Sequence, residues 1–183
     1  MEIKEVFPGL LYSIHNDNEK INEYRKMFNL WTDKQFLLDF FRKHVTFIDK
    51  DLWKGLDKDP EKAAQFVIQD AYKLEKYIKQ LKRNIEKGKV PDFDSFFRPL
   101  DGKYVYEWQH VPMKAYGKEH DTMLRIYAIK MGENCYLVVY GGLKLAKTIQ
   151  ESPVLKDEVF PRIDRAIHYL KQLGIEKNND LQI

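Results

Sequence analysis

The side chains best suited to chemistry lie around two strand-like segments in the last third of the chain. Arg125 and Tyr127 alternate along the segment LRIYAIK. Lys144, Lys147 and Thr148 follow the Gly-Gly pair that ends the segment CYLVVYGG. A guanidinium can hold a phosphate through two hydrogen bonds, and a tyrosine can stack on a base or relay a proton. The pattern therefore predicts a basic basin in which the lysines and the threonine line the rim.

Each of these residues also has an ordinary structural interpretation. Arg125 can pair with an acid on a neighbouring strand, such as Glu107, and Tyr127 is then a simple sheet residue. Gly141 and Gly142 let the backbone turn off the sheet edge without steric cost. The lysines that follow would then belong to a solvated loop. The residue types alone leave both interpretations open.

A histidine-containing loop is the next candidate. His110 lies in a polar stretch between two predicted strands, and a histidine there can act as a general acid or base near neutral pH. The alternative is an exposed loop histidine. His110 and His120 with Glu119 and Asp121 match no strong metal-ligand spacing. We therefore expect no metal and no cofactor.

The length and composition of the chain predict one domain with its own hydrophobic core. The chain has 183 residues, of which 44% are hydrophobic and 32% charged, as in ordinary soluble proteins. Its apolar runs are far shorter than the roughly 20 residues of a membrane helix. The start of the chain has no secretory signal pattern, and the single Cys135 excludes an internal disulfide. We expect a cytoplasmic protein.

The positive charge is concentrated in one segment. The formal net charge is +3, and residues 61–89 carry 8 Lys/Arg against 4 Asp/Glu, whereas the flanking parts are close to balanced. A local excess of this kind can attract phosphate backbones. It can equally be the solvated face of a helix, which is the more common case.

The first half of the chain predicts one short strand and two helices. The strand is expected at residues 10–14. A capping-box pattern at Thr32 begins a helix that runs to about His44. A second helix begins at Asp59, with Pro60 in its first position, and its apolar residues recur in steps of three and four until Gly88.

The second half predicts three strands and a final helix. The strands are expected at 104–111, 124–130 and 135–141, with a hairpin turn between the last two. A helix begins after Ser152 and ends at Gly174. This order predicts an α+β fold: a small antiparallel meander with helices packed on one face.

Several of these elements together resemble the RelE/ParE superfamily of small bacterial toxins, in particular its HigB-like, phage-related branch. The likeness covers about residues 60–170, and no single motif is diagnostic, so it rests on order and spacing. The matching residues are Leu100, Gly102, Tyr104–Glu107, Arg125–Tyr127, Gly141, Gly142, Lys144, Lys147, Thr148 and Pro153. The resemblance implies a single domain of residues 1–183. Within it, residues 1–58 are an N-terminal extension, 59–174 form the RelE-like unit, and 175–183 are a frayed tail.

The resemblance also implies a function. Most members of the superfamily are toxins of type II toxin–antitoxin pairs that cleave mRNA without a metal, often on the ribosome. Basic side chains hold the scissile phosphate and help to move protons while the ribose 2′-hydroxyl attacks. The residues expected to act in catalysis are Arg125, Lys144, Lys147, Tyr127 and His110. Those expected to bind RNA are Lys103, Thr148, Lys79 and Lys82.

The expected partners are a cognate antitoxin protein, mRNA and the ribosome, with no membrane. Two other functions stay open. One is a non-catalytic interaction protein on a RelE-like scaffold, and the other is a ParE-like inhibitor of gyrase. The nuclease hypothesis requires Arg125, Lys144 and Lys147 to be neighbours around one shallow basin.

Overall fold

A computed structural model describes residues 1–89, 93–100, 111–115 and 122–175. The strands are β1 (Glu2–Phe7), β2 (Leu11–His15), β3 (Arg98–Pro99), β4 (Val111–Ala115), β5 (Leu124–Gly132) and β6 (Cys135–Leu143). The helices are α1 (Glu23–Thr32), α2 (Lys34–His44), α3 (Pro60–Glu86), α4 (Phe93–Phe96) and α5 (Pro153–Gln172), with a short 3-10 turn at Val45–Phe47. The fold is α+β.

The six strands form one sheet in the order β1-β2-β6-β5-β4-β3. Strands β3 to β6 are consecutive antiparallel neighbours and form a meander, in which β5 and β6 correspond to the strands predicted at 124–130 and 135–141. The strand predicted at 104–111 lies outside the described residues except for Val111, where β4 begins. The other half of the sheet is not a meander. The β1–β2 hairpin joins β6 through a parallel pairing of β2 with β6, so the sheet as a whole is mixed. The prediction of a small antiparallel sheet was therefore too simple.

Helices cover both faces of the sheet, and the prediction of helices on one face was wrong. One core cluster packs α1, α2 and α3 against residues such as Ile126 and Val138. A second cluster packs α5 against residues such as Tyr127 and Leu137 on the opposite face. The physical reason is visible in β6, which is apolar at nearly every position, and strands buried on both faces read as continuous hydrophobic runs.

The first 58 residues are integrated into the fold. They supply two strands of the sheet and two helices, and Trp31, Leu37 and Phe41 belong to the first core cluster. The predicted strand at 10–14 corresponds to β2. Strand β1 and helix α1 were not predicted.

The helix ends follow local capping rules. Asp59 caps α3 by accepting hydrogen bonds from the amides of Glu61 and Lys62, as predicted. Helix α2 is capped by Asp33, whose carboxylate accepts from the amide of Phe36. The predicted cap, Thr32, instead ends α1, and its hydroxyl donates to the carbonyl of Phe28.

Candidate functional site

The two glycines that precede the lysines lie inside β6, not in a turn after it. A Cβ on Gly141 would lie 2.3 Å from Cβ of Met27 on α1, and one on Gly142 would lie 2.4 Å from Cδ2 of Leu155 on α5. Each glycine therefore lets a helix approach one face of the strand closely. The prediction that they make the chain turn off the sheet was wrong.

Three cations meet where β4, β5 and β6 end together. Lys114 on β4 lies opposite Tyr127, two residues along β5 from Arg125. Arg125 lies opposite Gly142, and the amide of Lys144 donates to the carbonyl of Met123 just before β5. We call Lys114, Arg125 and Lys144 the cationic cluster.

The charges in the cationic cluster act on one another. Burial lowers the pKa of Lys144, and the positive charges of Arg125 and Lys114 lower it further, whereas Glu151 raises it. A protein gains nothing in stability by holding like charges together at a half-buried site. An anion placed between them would offset the repulsion.

Arg125 is the inner member of the cationic cluster. It is only 7% exposed, and its Nη1 donates to the carbonyls of Thr122 and Leu124, at 2.5 and 2.7 Å. Lys144 is half-buried at the outer side. The structure thus brings two of the three predicted basin residues together, with Arg125 fixed behind Lys144.

Tyr127 shares the strand face of Arg125, as the alternation predicted, but α5 covers that face. Its side chain is 1% exposed and stacks on the ring of Tyr140, with 6.2 Å between ring centroids. Burial raises its pKa above the usual value for tyrosine. Tyr127 is therefore a core residue with no route to a substrate in this arrangement.

The loop after β6 is held in shape by its own polar side chains. Thr148 and Glu151 exchange hydrogen bonds, since the Thr148 hydroxyl donates to Oε2 at 2.8 Å and accepts from the Glu151 amide. Ser152 Oγ accepts from the amides of Leu145 and Ala146. Lys147 is exposed on this loop.

Two residues from the first third of the chain also hold this loop in place through hydrogen bonds. The indole N–H of Trp53 donates to the carbonyl of Leu145 at 2.9 Å, and the amide of Asp49 donates to the same oxygen at 2.9 Å. Leu145 itself is buried in the first core cluster. The position of Lys144 thus depends on residues from the first third of the chain.

The remaining predicted residues lie elsewhere. Lys79 and Lys82 are on α3, where they form ion pairs with Glu75 at 2.9 Å and Glu86 at 3.6 Å. Paired charges along a helix agree with the solvated-face interpretation. His110 and Lys103 lie outside the described residues.

A concave feature lies beside the last residues of β6, and the sequence did not predict it. It is a cavity of about 290 Å³ between α1 and α5. Its floor is Tyr140 to Leu143, and its walls are Glu23, Lys26, Met27, Leu30, Trp31, Phe36, Phe40, Val154, Glu158 and Arg162. We call it the edge groove. The signal for it in the sequence was the Gly-Gly pair inside an apolar strand, which marks close approach of other groups.

The charges of the edge groove are paired. Arg162 donates to Glu23 at 2.8 Å and to Glu158 at 2.6 Å, and its guanidinium lies 4.9 Å from the ring centroid of Tyr140. Glu23 is 2% exposed and also accepts from Asn16. Burial raises the pKa of Glu23, although Lys26 and Arg162 lower it. Desolvation of the carboxylate therefore outweighs the attraction of its partners.

Comparison of the chain with family models, with curated proteins and with solved structures gives no match. Among the described residues, no helix is long and apolar enough to span a membrane. The same residues contain no group of three or more His, Cys, Asp or Glu side chains placed to hold a metal ion. The functional argument therefore depends on the cationic cluster and the edge groove themselves.

Proposed function

We propose that the protein is a metal-independent endoribonuclease of the RelE/ParE toxin type, acting in the cytoplasm on mRNA and neutralised by a cognate antitoxin. The observation that supports this function is the cationic cluster at the end of β4, β5 and β6. Its members are Arg125 and two lysines, of which Lys114 donates to the carbonyl of Leu100. Such a set favours an anion with charge that increases during reaction, as on a phosphate under attack.

The roles of the residues follow from their exposure. Lys144 contacts the scissile phosphate, and its lowered pKa makes it a better proton donor and acceptor near neutral pH than an exposed lysine. Arg125, held by the carbonyls of Thr122 and Leu124, supplies fixed positive charge behind it. Lys147, exposed on the same loop, contacts the neighbouring RNA backbone. Tyr127 has no part in this proposal because it is buried.

The test is RNA binding and cleavage by the purified protein, with matched lysine pairs. The Lys144→Ala/Lys147→Ala variant should lose cleavage, and the same reaction of the native protein should persist in EDTA. The RNA affinity of the Lys144→Ala/Lys147→Ala variant should fall less steeply as the salt concentration rises. Each lost phosphate contact reduces the slope of log K against log salt by about 0.7. The control is Lys62→Ala/Lys73→Ala, which removes the same charge from ion pairs on α3.

Expression in a bacterial host gives a second readout. Growth arrest should disappear in the Lys144→Ala/Lys147→Ala variant and persist in the α3 control. Arrest that persists in both variants would refute the assignment of the site. Loss of arrest without RNA cleavage, together with inhibition of DNA supercoiling, would indicate the ParE-like function instead.

The edge groove supports a second candidate, an interaction protein, because Trp31, Phe36 and Phe40 line it and aromatic residues are enriched at protein–protein interfaces. A partner bound there need not interfere with the cationic cluster. The two functions can therefore be tested separately.

A further inference from the structure

The amino group of Lys144 is half-buried, and among the described residues it forms no ion pair and no hydrogen bond. The acid that acts on it is Glu151. Oε2 of this glutamate already accepts from Thr148, from the amide at 3.1 Å and from the hydroxyl at 2.8 Å. An amine that is taken partly out of water without an acid of its own favours its neutral form.

The other two members of the cationic cluster are held in place beside this amine. Arg125 is buried, and its guanidinium donates to two backbone carbonyls. Lys114 Nζ donates to the carbonyl of Leu100 at 3.2 Å. Burial is the largest cause that lowers the pKa of Lys144, and the charges of Arg125 and Lys114 lower it further. The surroundings of Lys144 therefore oppose its protonation from several directions.

The cationic cluster thus combines an amine that readily becomes neutral with two cations. A neutral lysine amine is a nucleophile, and desolvation or a neighbouring cation activates lysines in this way. The cations attract an anionic reagent to the same place. A reagent suited to the cluster carries both a phosphate and an electrophilic carbonyl carbon. Acyl phosphates have both groups.

We propose that Lys144 is a covalent modification site, which takes an acyl group from an acyl phosphate. The neutral Nζ attacks the carbonyl carbon and forms the C–N bond of an amide. The bond between that carbon and the phosphate oxygen breaks, and its electron pair stays on the oxygen. The amine loses a proton to the departing phosphate, so the products are an amide and hydrogen phosphate. Arg125 and Lys114 attract the phosphoryl oxygens during this step.

The modification regulates the cationic cluster. Acylation removes one of its positive charges and replaces an amine with a neutral amide. The acylated protein should bind RNA less tightly and should no longer cleave it. This consequence for RNA rests on the nuclease function proposed above, whereas the acylation of Lys144 does not.

The probe is acetyl phosphate, added to the full chain near neutral pH, with initial rates followed residue by residue by peptide mass spectrometry. Lys144 should be acetylated at least about threefold faster than Lys147, which is exposed on the same loop. Inorganic phosphate should slow the reaction at Lys144 and leave that at Lys147 unchanged. A neutral acyl donor, p-nitrophenyl acetate, should show a smaller preference for Lys144.

Two substitutions should change the rate at Lys144 in opposite directions. Lys114→Gln removes a like charge and should slow acetylation at least about twofold. Glu151→Gln removes the opposing acid and should speed it, while its amide oxygen can still accept from Thr148. The control is Lys156→Gln, an exposed position on α5 with the same charge change as Lys114→Gln, which should leave the rate unaltered.

Equal rates at Lys144 and Lys147, no protection by inorganic phosphate, or equal effects of Lys114→Gln and Lys156→Gln would overturn the proposal. Thermal unfolding establishes that each variant is folded, and Glu151→Gln decides the matter if Lys114→Gln is not. RNA cleavage is measured separately before and after acetylation. A native protein that is acetylated as expected but never cleaves RNA would refute the nuclease function and leave the modification site intact.

Discussion

The cationic cluster and the edge groove use the same strand in opposite ways. Around Arg125 and Lys144, like charges are gathered and Lys144 is half-buried, although Glu151 raises its pKa. In the edge groove, Arg162 bridges Glu23 and Glu158, so charges cancel before any ligand arrives. The first arrangement is improved by an anion, whereas the charges of the second are already paired. The difference favours an anionic ligand at the cationic cluster rather than at the edge groove.

The largest expected effect is at the floor of the edge groove, where the two glycines differ. Gly141→Ala should lower the free energy of unfolding by about 3 kcal/mol, because its Cβ meets Cβ of Met27, which cannot move without the helix. Gly142→Ala should cost about 1 kcal/mol, because it meets the flexible end of Leu155. Urea unfolding measures both. Equal costs would show that α1 is not held against β6 as tightly as the structure indicates.

The next effect concerns the paired charges of the groove. Glu23→Ala should cost about 2 kcal/mol, because Arg162 and Asn16 lose a buried acceptor. Glu23→Gln should cost less than about 1 kcal/mol, because the amide oxygen still accepts and the desolvated charge is removed. The free energies of unfolding at pH 7 distinguish the two. A larger cost for Gln than for Ala would contradict the role given to burial.

The loop beside the cationic cluster gives a smaller effect on stability and a larger one on function. Trp53→Phe removes the indole donor to Leu145 and should cost about 1 kcal/mol. The substitution should also weaken RNA binding, because the position of Lys144 depends on that of the adjacent Leu145. Phe66→Leu is the control, since Phe66 packs beside Trp53, with 6.3 Å between ring centroids, and donates nothing to the loop. If the Trp53→Phe variant binds RNA as tightly as the native protein does, the N-terminal residues do not influence the site.

The smallest expected change in stability comes from a substitution in the cationic cluster itself. The sign of this change tests whether Lys144 destabilises the folded protein. The pKa of Lys144 is lower in the folded state than in the unfolded state, so folding releases protons and stability rises as pH increases through the folded pKa. Lys144→Met should therefore raise stability at pH 7, by less than about 1 kcal/mol because the side chain is partly solvated. The gain should fade at alkaline pH. A loss of stability at pH 7 would show that Lys144 has a stabilising partner, and denaturant curves at several pH values measure this.

The sequence by itself determined those helices and strands that are specified by residues close together in the chain. Asp59-Pro60 and the apolar steps that follow were sufficient for α3, and the alternation in LRIYAIK was sufficient for β5 and for the separation of Leu124 from Arg125 between its two faces. These features depend on capping and side-chain periodicity, which act within a few residues. The Gly-Gly pair was also visible, but its meaning was misread.

Only the tertiary structure decided which surfaces meet. The parallel pairing of β2 with β6, the covering of Tyr127 by α5 and the hydrogen bond from Trp53 to Leu145 join residues far apart in the chain. No local pattern specifies such contacts, because they depend on which of many apolar faces pack together. For the same reason the burial of Arg125, the exposure of Lys147 and the edge groove emerged only when all the helices were in place.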